Sequence, residues 1–199
     1  MKKLLLLAGI FFTVSAFAQS GYKVGDQARD FNLKNIDGKN ISLADYSSAK
    51  GFIVVFTCNH CPFAKKYEDR INALNKKYKK QGYPVIAINA NDSTQEPEDS
   101  YLNMQVRAKE KGFTFPYLLD GTQEIAKTYG ATRTPHVYIL QKQNGVLIVK
   151  YIGAIDDNTD DATAVKQKYA ELAVDALLAG KEVAITSTKA IGCTIKFKH

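Results

Sequence analysis

The sequence predicts an α/β fold: a mixed central β-sheet flanked by helices, with an N-terminal β-hairpin extension and a C-terminal tail. Three observations carry that expectation. Gly51 to Phe56 is an unbroken apolar run, short and rich in β-branched and aromatic residues, as a strand buried on both faces should be. Helical and strand patterns then alternate along the chain, which is how parallel strands joined by helices read. Asn144-Gly145 stands between two apolar segments, the pair that favours a tight antiparallel hairpin.

Taken in order, Gly21 to Asp30 is a polar lead-in. Phe31 to Leu33 and Ile41 to Leu43 pair around a turn with Asp37-Gly38 at its tip. The Gly51 to Phe56 strand follows. Phe63 to Lys80 is a helix, because Tyr67, Ile71, Leu74 and Tyr78 recur at three- and four-residue spacing with charges between them, and Gly82 ends it. Val85 to Ile88 is a second buried strand, followed by a polar loop from Asn89 to Pro97. Glu98 to Lys111 reads as a helix stopped by Gly112, Phe115 to Leu119 as a short strand, and Thr122 to Tyr129 as a short helix stopped by Gly130. His136 to Leu140 and Val146 to Ile152 form the hairpin. An Asp-rich loop, Asp156 to Asp161, leads into a last helix from about Ala162 to Leu178. The tail ends in the alternating Ile195-Lys196-Phe197.

The 199 residues suit one domain with a sizeable core. Residues 1–18 are expected to be a secretory signal peptide: Lys2 and Lys3 precede an apolar run to Phe17, and Ala16-Phe17-Ala18 is a small-residue cleavage site. Residues 19–199 are then the single domain. The apolar run falls short of the ~20 residues a membrane span needs. No stable membrane insertion is therefore expected after cleavage, and the expected address is the periplasm or another extracytoplasmic space. The formal charge is +7, and +5 once Lys2 and Lys3 leave with the leader. The lysines are spread along helices with no basic stripe among stacking aromatics, which argues against a nucleic-acid partner.

The chemistry concentrates in Cys58-Asn59-His60-Cys61-Pro62. A C-x-x-C pair plus one further cysteine is no structural disulfide framework in an oxidising compartment, and so short a loop adds little as a staple. Pro62 suits the first turn of a helix. The pair therefore sits at a strand-to-helix junction, where orphan N–H groups and the helix dipole favour a thiolate. Cys58 is expected to be the attacking nucleophile with a lowered pKa, and Cys61 the resolving thiol. A protonated His60 would tune the thiol pKa further down and make the disulfide more oxidising.

The stretches FTCNHCPFAKKYEDR, INANDS, ATRTPH and IGCTIKF, with Thr134-Pro135 ahead of the terminal hairpin, resemble the thioredoxin-like superfamily over nearly all of the mature chain. More narrowly, they resemble its redoxin branch, related to alkyl hydroperoxide reductase and thiol-specific antioxidant proteins (AhpC/TSA), in the peroxiredoxin-like subgroup. The resemblance implies a thioredoxin-like fold and an exported thiol–disulfide oxidoreductase that works through a mixed disulfide. It also implies a cis Pro135 beside the redox pair. Thr134 and Pro135 then dock the substrate, the Thr134 backbone pairing with an extended partner chain beside Cys58. The implied partners are protein or small-molecule thiols and disulfides, a membrane thiol reductase as electron donor, and hydroperoxides under a peroxidase reading. No organic cofactor is implied, because the cysteines carry the electrons.

Two departures from those families stand out. Peroxiredoxins carry P-x-x-x-[TS]-x-x-C around the peroxide-attacking cysteine. With Cys61 in that place, Val54 holds the proline position and Cys58 the hydroxyl position. Thioredoxin has a buried acid on the strand before the disulfide, and here that position is Phe52. Glu68 and Asp69 on the next helix read as surface salt-bridging residues, which leaves the proton acceptor for the resolving thiol unassigned.

Other readings stand beside the main one. A thiol peroxidase would use Cys61 or Cys58 on hydroperoxides. A copper chaperone similar to the Sco type would gather a soft ion between Cys58, Cys61 and His136, although Sco proteins carry C-x-x-x-C. Cys193 is either a small buried hydrophobe or a third redox thiol. Arg133 adds positive potential near Cys58 or caps surface carbonyls. His60 resembles the oxidant DsbA-type motif, whereas the element order fits a reductant of the TlpA/ResA type equally well.

Overall fold

The computed structural model describes residues 21–198. The expected signal peptide, residues 1–18, lies outside the described residues, as does the start of the 19–199 unit. The strands are β1 (Gln27–Ala28), β2 (Asn32–Asn35), β3 (Asn40–Ser42), β4 (Gly51–Phe56), β5 (Val85–Asn89), β6 (Tyr117–Leu119), β7 (Arg133–Thr134), β8 (His136–Gln143), β9 (Val146–Gly153) and β10 (Cys193–Thr194). The helices are α1 (Pro62–Tyr78), α2 (Tyr101–Glu110), α3 (Glu124–Tyr129) and α4 (Tyr169–Leu178).

Eight strands make one sheet in the order β1-β9-β8-β4-β5-β6-β2-β3, while β10 pairs with β7 in a separate two-stranded sheet. β4, β5 and β6 run parallel, and β8 lies antiparallel to β4 with Phe56 opposite His136. This is the mixed sheet that the pattern predicts, with the β2–β3 hairpin at one edge as the N-terminal extension.

β4 is apolar throughout because both of its faces are covered. Ile53 and Val55 join Tyr67, Ile71 and Leu74 of α1, Met104 of α2, and Val174 of α4 on one side. Phe52, Val54 and Phe56 join Ile125 and Tyr129 of α3, the lead-in Phe31 and the tail Ile195 on the other. Each such side chain, once buried, contributes about 1.5–3 kcal/mol, and the central strand is thereby fixed in height and register. That rigid strand carries the C-x-x-C turn at its end. The β8–β9 hairpin turns through Asn144 and Gly145 at φ 49° and 83°, the two positive values that a type I′ turn demands.

Three helices begin later than the periodicity suggests, α3 by two residues, at Glu124 in place of Thr122, and α2 and α4 by more. α2 starts at Tyr101, because Pro97–Asp99 forms a separate 3₁₀ turn and Ser100, in extended conformation, caps the helix by accepting the Asn103 N–H. α4 starts at Tyr169, not near Ala162. The Lys166 N–H donates to Asp157 and the Gln167 carbonyl accepts the Asp157 N–H, so these backbone groups are committed to the Asp-rich loop before a helix can use them. Among the described residues of the tail, only Cys193–Thr194 is strand.

Glu68 is also not a surface residue. It is 4% exposed and takes Arg107 Nε at 2.6 Å and Nη2 at 2.8 Å, a bidentate ion pair that ties α1 to α2.

Candidate active site

β4 delivers Thr57 to the carboxyl edge of the sheet, where its N–H donates to the Ile88 carbonyl. The chain then turns through Cys58 to Cys61. Cys61 is the N-cap of α1, in extended conformation, with Pro62 as the first helical residue. The Cys58 and Cys61 sulfurs lie against one another, both buried, with Cys58 the less deeply covered at 3% against 0%.

The proline loop closes over them. The Thr134–Pro135 peptide is cis. Thr134 Oγ1 lies 3.1 Å from Cys58 Sγ, and the Thr134 carbonyl oxygen lies 3.3 Å from Cys61 Sγ, placed to accept from Cys61 whenever that sulfur carries the proton. Thus Cys58, Cys61, Thr134 and Pro135 are brought together.

The two sulfurs titrate as a pair. Cys61 is held low: it accepts the Cys58 S–H, and it also faces the Cys193 thiol, the Ala64 N–H in the first turn of α1, and the Cys193 N–H at 3.4 Å. Cys58 is pushed up by donating to Cys61, by burial and by the nearby Asp99 carboxylate. In the reduced pair the shared proton therefore sits on Cys58 and the charge on Cys61. The depressed pKa falls on the second cysteine rather than on Cys58, first because Cys61 accepts the Cys58 S–H, and then because the Cys193 thiol and the Ala64 N–H also face it.

His60 is drawn toward an acid that sequence patterning does not single out. Its Nδ1 donates to Asp99 Oδ2 at 2.5 Å. Asp99 is fully buried and also takes the Asn59 N–H at 2.5 Å, the His60 N–H at 3.3 Å and Asn91 Nδ2 at 2.7 Å. Tyr117, buried below, donates to Asn59 Oδ1 at 3.0 Å. Asp99 thus supplies a buried acid near Cys58 from the loop after β5, where Phe52 removes it from the strand before the disulfide. The signal for it was the Asn89 to Asp99 stretch, too polar for the end of a buried parallel strand unless it faces a site at the carboxyl edge of the sheet.

The set Cys58, Cys61 and His136 is not assembled. His136 lies on the opposite face of the sheet, its ring 4.9 Å from that of Tyr138, and burial holds it down to about 4. Among the described residues, the ligand-type atoms that do gather within 4.8 Å are those of Cys58, His60 and Asp99. There the His60 and Asp99 atoms are already bonded to each other. Arg133 donates to the Gly192 carbonyl and Thr194 Oγ1, on either side of Cys193 in the chain. Cys193, by contrast, is brought directly to the pair.

Residues 24–153 match the AhpC/TSA family. The chain belongs to that family. Within the family it is similar to thiol-disulfide oxidoreductase ResA of Geobacillus thermodenitrificans, at 30% identity over 72% of this chain and 79% of that protein. The ResA of Halalkalibacterium halodurans is 29% identical over 75% of this chain and 80% of that one. Among solved structures, an uncharacterized conserved protein from Geobacillus kaustophilus superposes with a TM-score of 0.81 at 40% identity, covering 88% of this chain and 93% of that one. This AhpC/TSA member has the thioredoxin-like fold and is a thiol–disulfide oxidoreductase, whose substrates are thiols and disulfides. No helix among the described residues is long and apolar enough to cross a membrane.

Proposed function

We propose that this protein exchanges electrons with partner disulfides outside the cytoplasm through Cys58 and Cys61, with Cys58 as the sulfur that meets the partner and Cys61 as the one that resolves. The observation that carries this reading is the sulfur pair in contact at the N-terminus of α1 beneath Thr134 and cis Pro135.

In the reducing direction, Cys58 passes its proton to Cys61 and attacks one sulfur of the partner's disulfide. The partner's other sulfur leaves as a thiolate and takes up the proton from Cys61. Cys61 then attacks Cys58 Sγ, closing the Cys58–Cys61 bond and expelling the first partner sulfur as a thiolate. Two electrons and one proton have passed to the partner, which balances a reduced pair that began with one proton between two sulfurs. The His60–Asp99 pair stands beside Cys58 as the group that tunes its charge. Thr134 and Pro135 form the edge on which the partner chain docks. A membrane thiol reductase supplies the electrons again, and the leader in residues 1–18 delivers the chain to that compartment.

The test is disulfide reduction with insulin, run beside peroxide consumption, on wild type, Cys58→Ser and Cys61→Ser. Wild type is expected to reduce insulin and both variants to lose that activity. Cys61→Ser is also expected to accumulate mixed disulfides at Cys58. Peroxide consumption that outpaces insulin reduction would replace this reading with the peroxidase, and insulin reduction that survives in the double variant would end it. The reduction potential of the pair, set against glutathione, fixes the direction of flow.

A further inference from the structure

β10 lies on the edge assigned above to the partner. Cys193 is paired with Thr134, and Thr194 with Arg133, in antiparallel register. The Ile195 N–H donates to the Thr132 carbonyl at 3.0 Å, and the Ile195 side chain is buried in the core. Gly192 permits the approach: a Cβ there would fall 2.0 Å from the Thr134 carbonyl oxygen. The tail is fastened further by Asn91, which accepts the Lys196 N–H on Oδ1 while its Nδ2 donates to Asp99. At the head of this strand the Cys193 N–H reaches Cys61 Sγ at 3.4 Å, and the two thiols are in hydrogen-bonding contact.

We infer that the tail is a tethered stand-in for the partner chain, and that Cys193 exchanges with the Cys58–Cys61 disulfide at Cys61, so that the oxidised protein also exists as a Cys61–Cys193 disulfide with Cys58 free. The inference rests on the reading of Cys58–Cys61 as the redox pair. The step is an internal thiol–disulfide exchange. The Cys193 thiolate attacks Cys61 Sγ, the Cys61–Cys193 bond forms, and the Cys58–Cys61 bond breaks. Cys58 leaves with the electron pair and takes up the proton that Cys193 lost, so no outside oxidant or reductant enters.

Two features favour attack at Cys61 over Cys58. The contact is with Cys61, and Cys58 is turned toward Thr134 Oγ1. In the reduced state Cys193 is held up at about 11, by burial and then by the charged Cys61 sulfur beside it. Once Cys61 is bonded in the disulfide that charge is gone and its share of the elevation with it, while burial still holds Cys193 up; the contact with Cys61, and not the acidity of Cys193, is what directs the exchange.

The experiment takes Cys58→Ser in the full mature chain and adds one equivalent of diamide, which accepts two electrons and two protons. Acid quench, alkylation and peptide mapping follow. The expected product is a monomer with no alkylatable thiol and a Cys61–Cys193 linkage. Two thiols left free, or disulfide-linked dimers as the sole product, would overturn the inference. Adding Gly192→Val, which unseats β10, is expected to slow the closure about tenfold or more, since it removes the effective concentration that the strand provides; an unchanged rate counts against the tethering. The same linkage is mapped in oxidised, acid-quenched wild type, so the question remains decidable should the serine variant fail to fold, and finding Cys58–Cys61 alone there overturns the proposal. If wild type reduces insulin while no Cys61–Cys193 bond forms, this inference falls and the redox pair stands. If wild type reduces nothing, the pair itself falls.

Discussion

Asp99 accepts the backbone N–H of Asn59 at 2.5 Å, reaching across 40 residues of chain to hold the turn between the two cysteines. The same carboxylate takes the His60 N–H, the His60 ring and Asn91. It is therefore both the anchor of the turn and a fixed negative charge near Cys58.

Asp99→Asn separates those roles. The amide keeps one acceptor oxygen but presents an NH₂ group to donors, so one or more buried N–H groups go unmet, at about 1–3 kcal/mol. Urea unfolding is expected to report a loss of that size. The charge has the opposite consequence for the thiol. Asp99 helps push Cys58 up, so neutralising it lowers the Cys58 pKa and speeds alkylation at neutral pH. A variant that is less stable yet more reactive at Cys58 is the expected combination, and slower alkylation would contradict the assignment.

Thr134 offers a second handle on the same sulfur. Its hydroxyl lies 3.1 Å from Cys58 Sγ and lowers the Cys58 pKa by donating to it. Thr134→Val keeps the shape and the backbone pairing with Cys193 but removes the donor. A hydrogen bond of this kind is worth about 1 kcal/mol, so alkylation at Cys58 is expected to slow several-fold while the melting temperature changes little. Titrating the thiolate absorbance against pH checks the direction.

The contrast between these residues shows what the sequence could and could not yield. The turn itself was legible because its parts are contiguous: a uniformly apolar strand, two cysteines and Pro62 each speak through local chemistry. Gly51 to Phe56 and the Asn144-Gly145 hairpin were legible for the same reason. Asp99 was not, since its role comes from a contact 40 residues away: the polar stretch from Asn89 points to a site but does not single out this acid among its neighbours. Which sulfur carries the charge also needed the fold, because it turns first on the contact between the two sulfurs and then on Cys193, which arrives 132 residues downstream. The segment 162–168 looked helical because periodicity does not register that Asp157 had already claimed its backbone groups. His136 fell on the wrong face because strand alternation from Phe56 sets it beside Tyr138, away from the sulfurs.

The Glu68–Arg107 pair makes a prediction about stability alone. Glu68 is buried, while Arg107 keeps part of its guanidinium in water. Removing the arginine leaves a buried carboxylate with Lys111 at 3.9 Å as its remaining cation. Breaking such a pair costs about 3–5 kcal/mol, and the partial exposure of Arg107 places Arg107→Ala near the lower figure. Replacing both residues by apolar ones of similar volume is expected to recover much of the loss. Thiol alkylation should be unaffected in either variant once both are fully folded, since the pair belongs to the α1–α2 packing. Guanidinium unfolding midpoints for the single and double variants measure this directly.

His136 makes the protein sensitive to acid in a defined window. Burial lowers its pKa from the ordinary 6.5 to about 4, so at pH values between those two the unfolded chain binds a proton that the folded one refuses. Stability from this group is therefore complete above about pH 6.5 and is lost progressively as the pH falls toward about 4, below which it changes no further. At about 1.4 kcal/mol per unit, the full loss comes to about 3 kcal/mol. His136→Gln lacks the titrating ring, so its unfolding free energy should fall less steeply across that interval than that of the wild type. Carboxylates titrate in the lower part of the same range in both proteins, and the difference between the two curves isolates the histidine. Parallel curves from about pH 6.5 to 4 would mean that His136 is protonated as readily in the folded protein as in the unfolded chain.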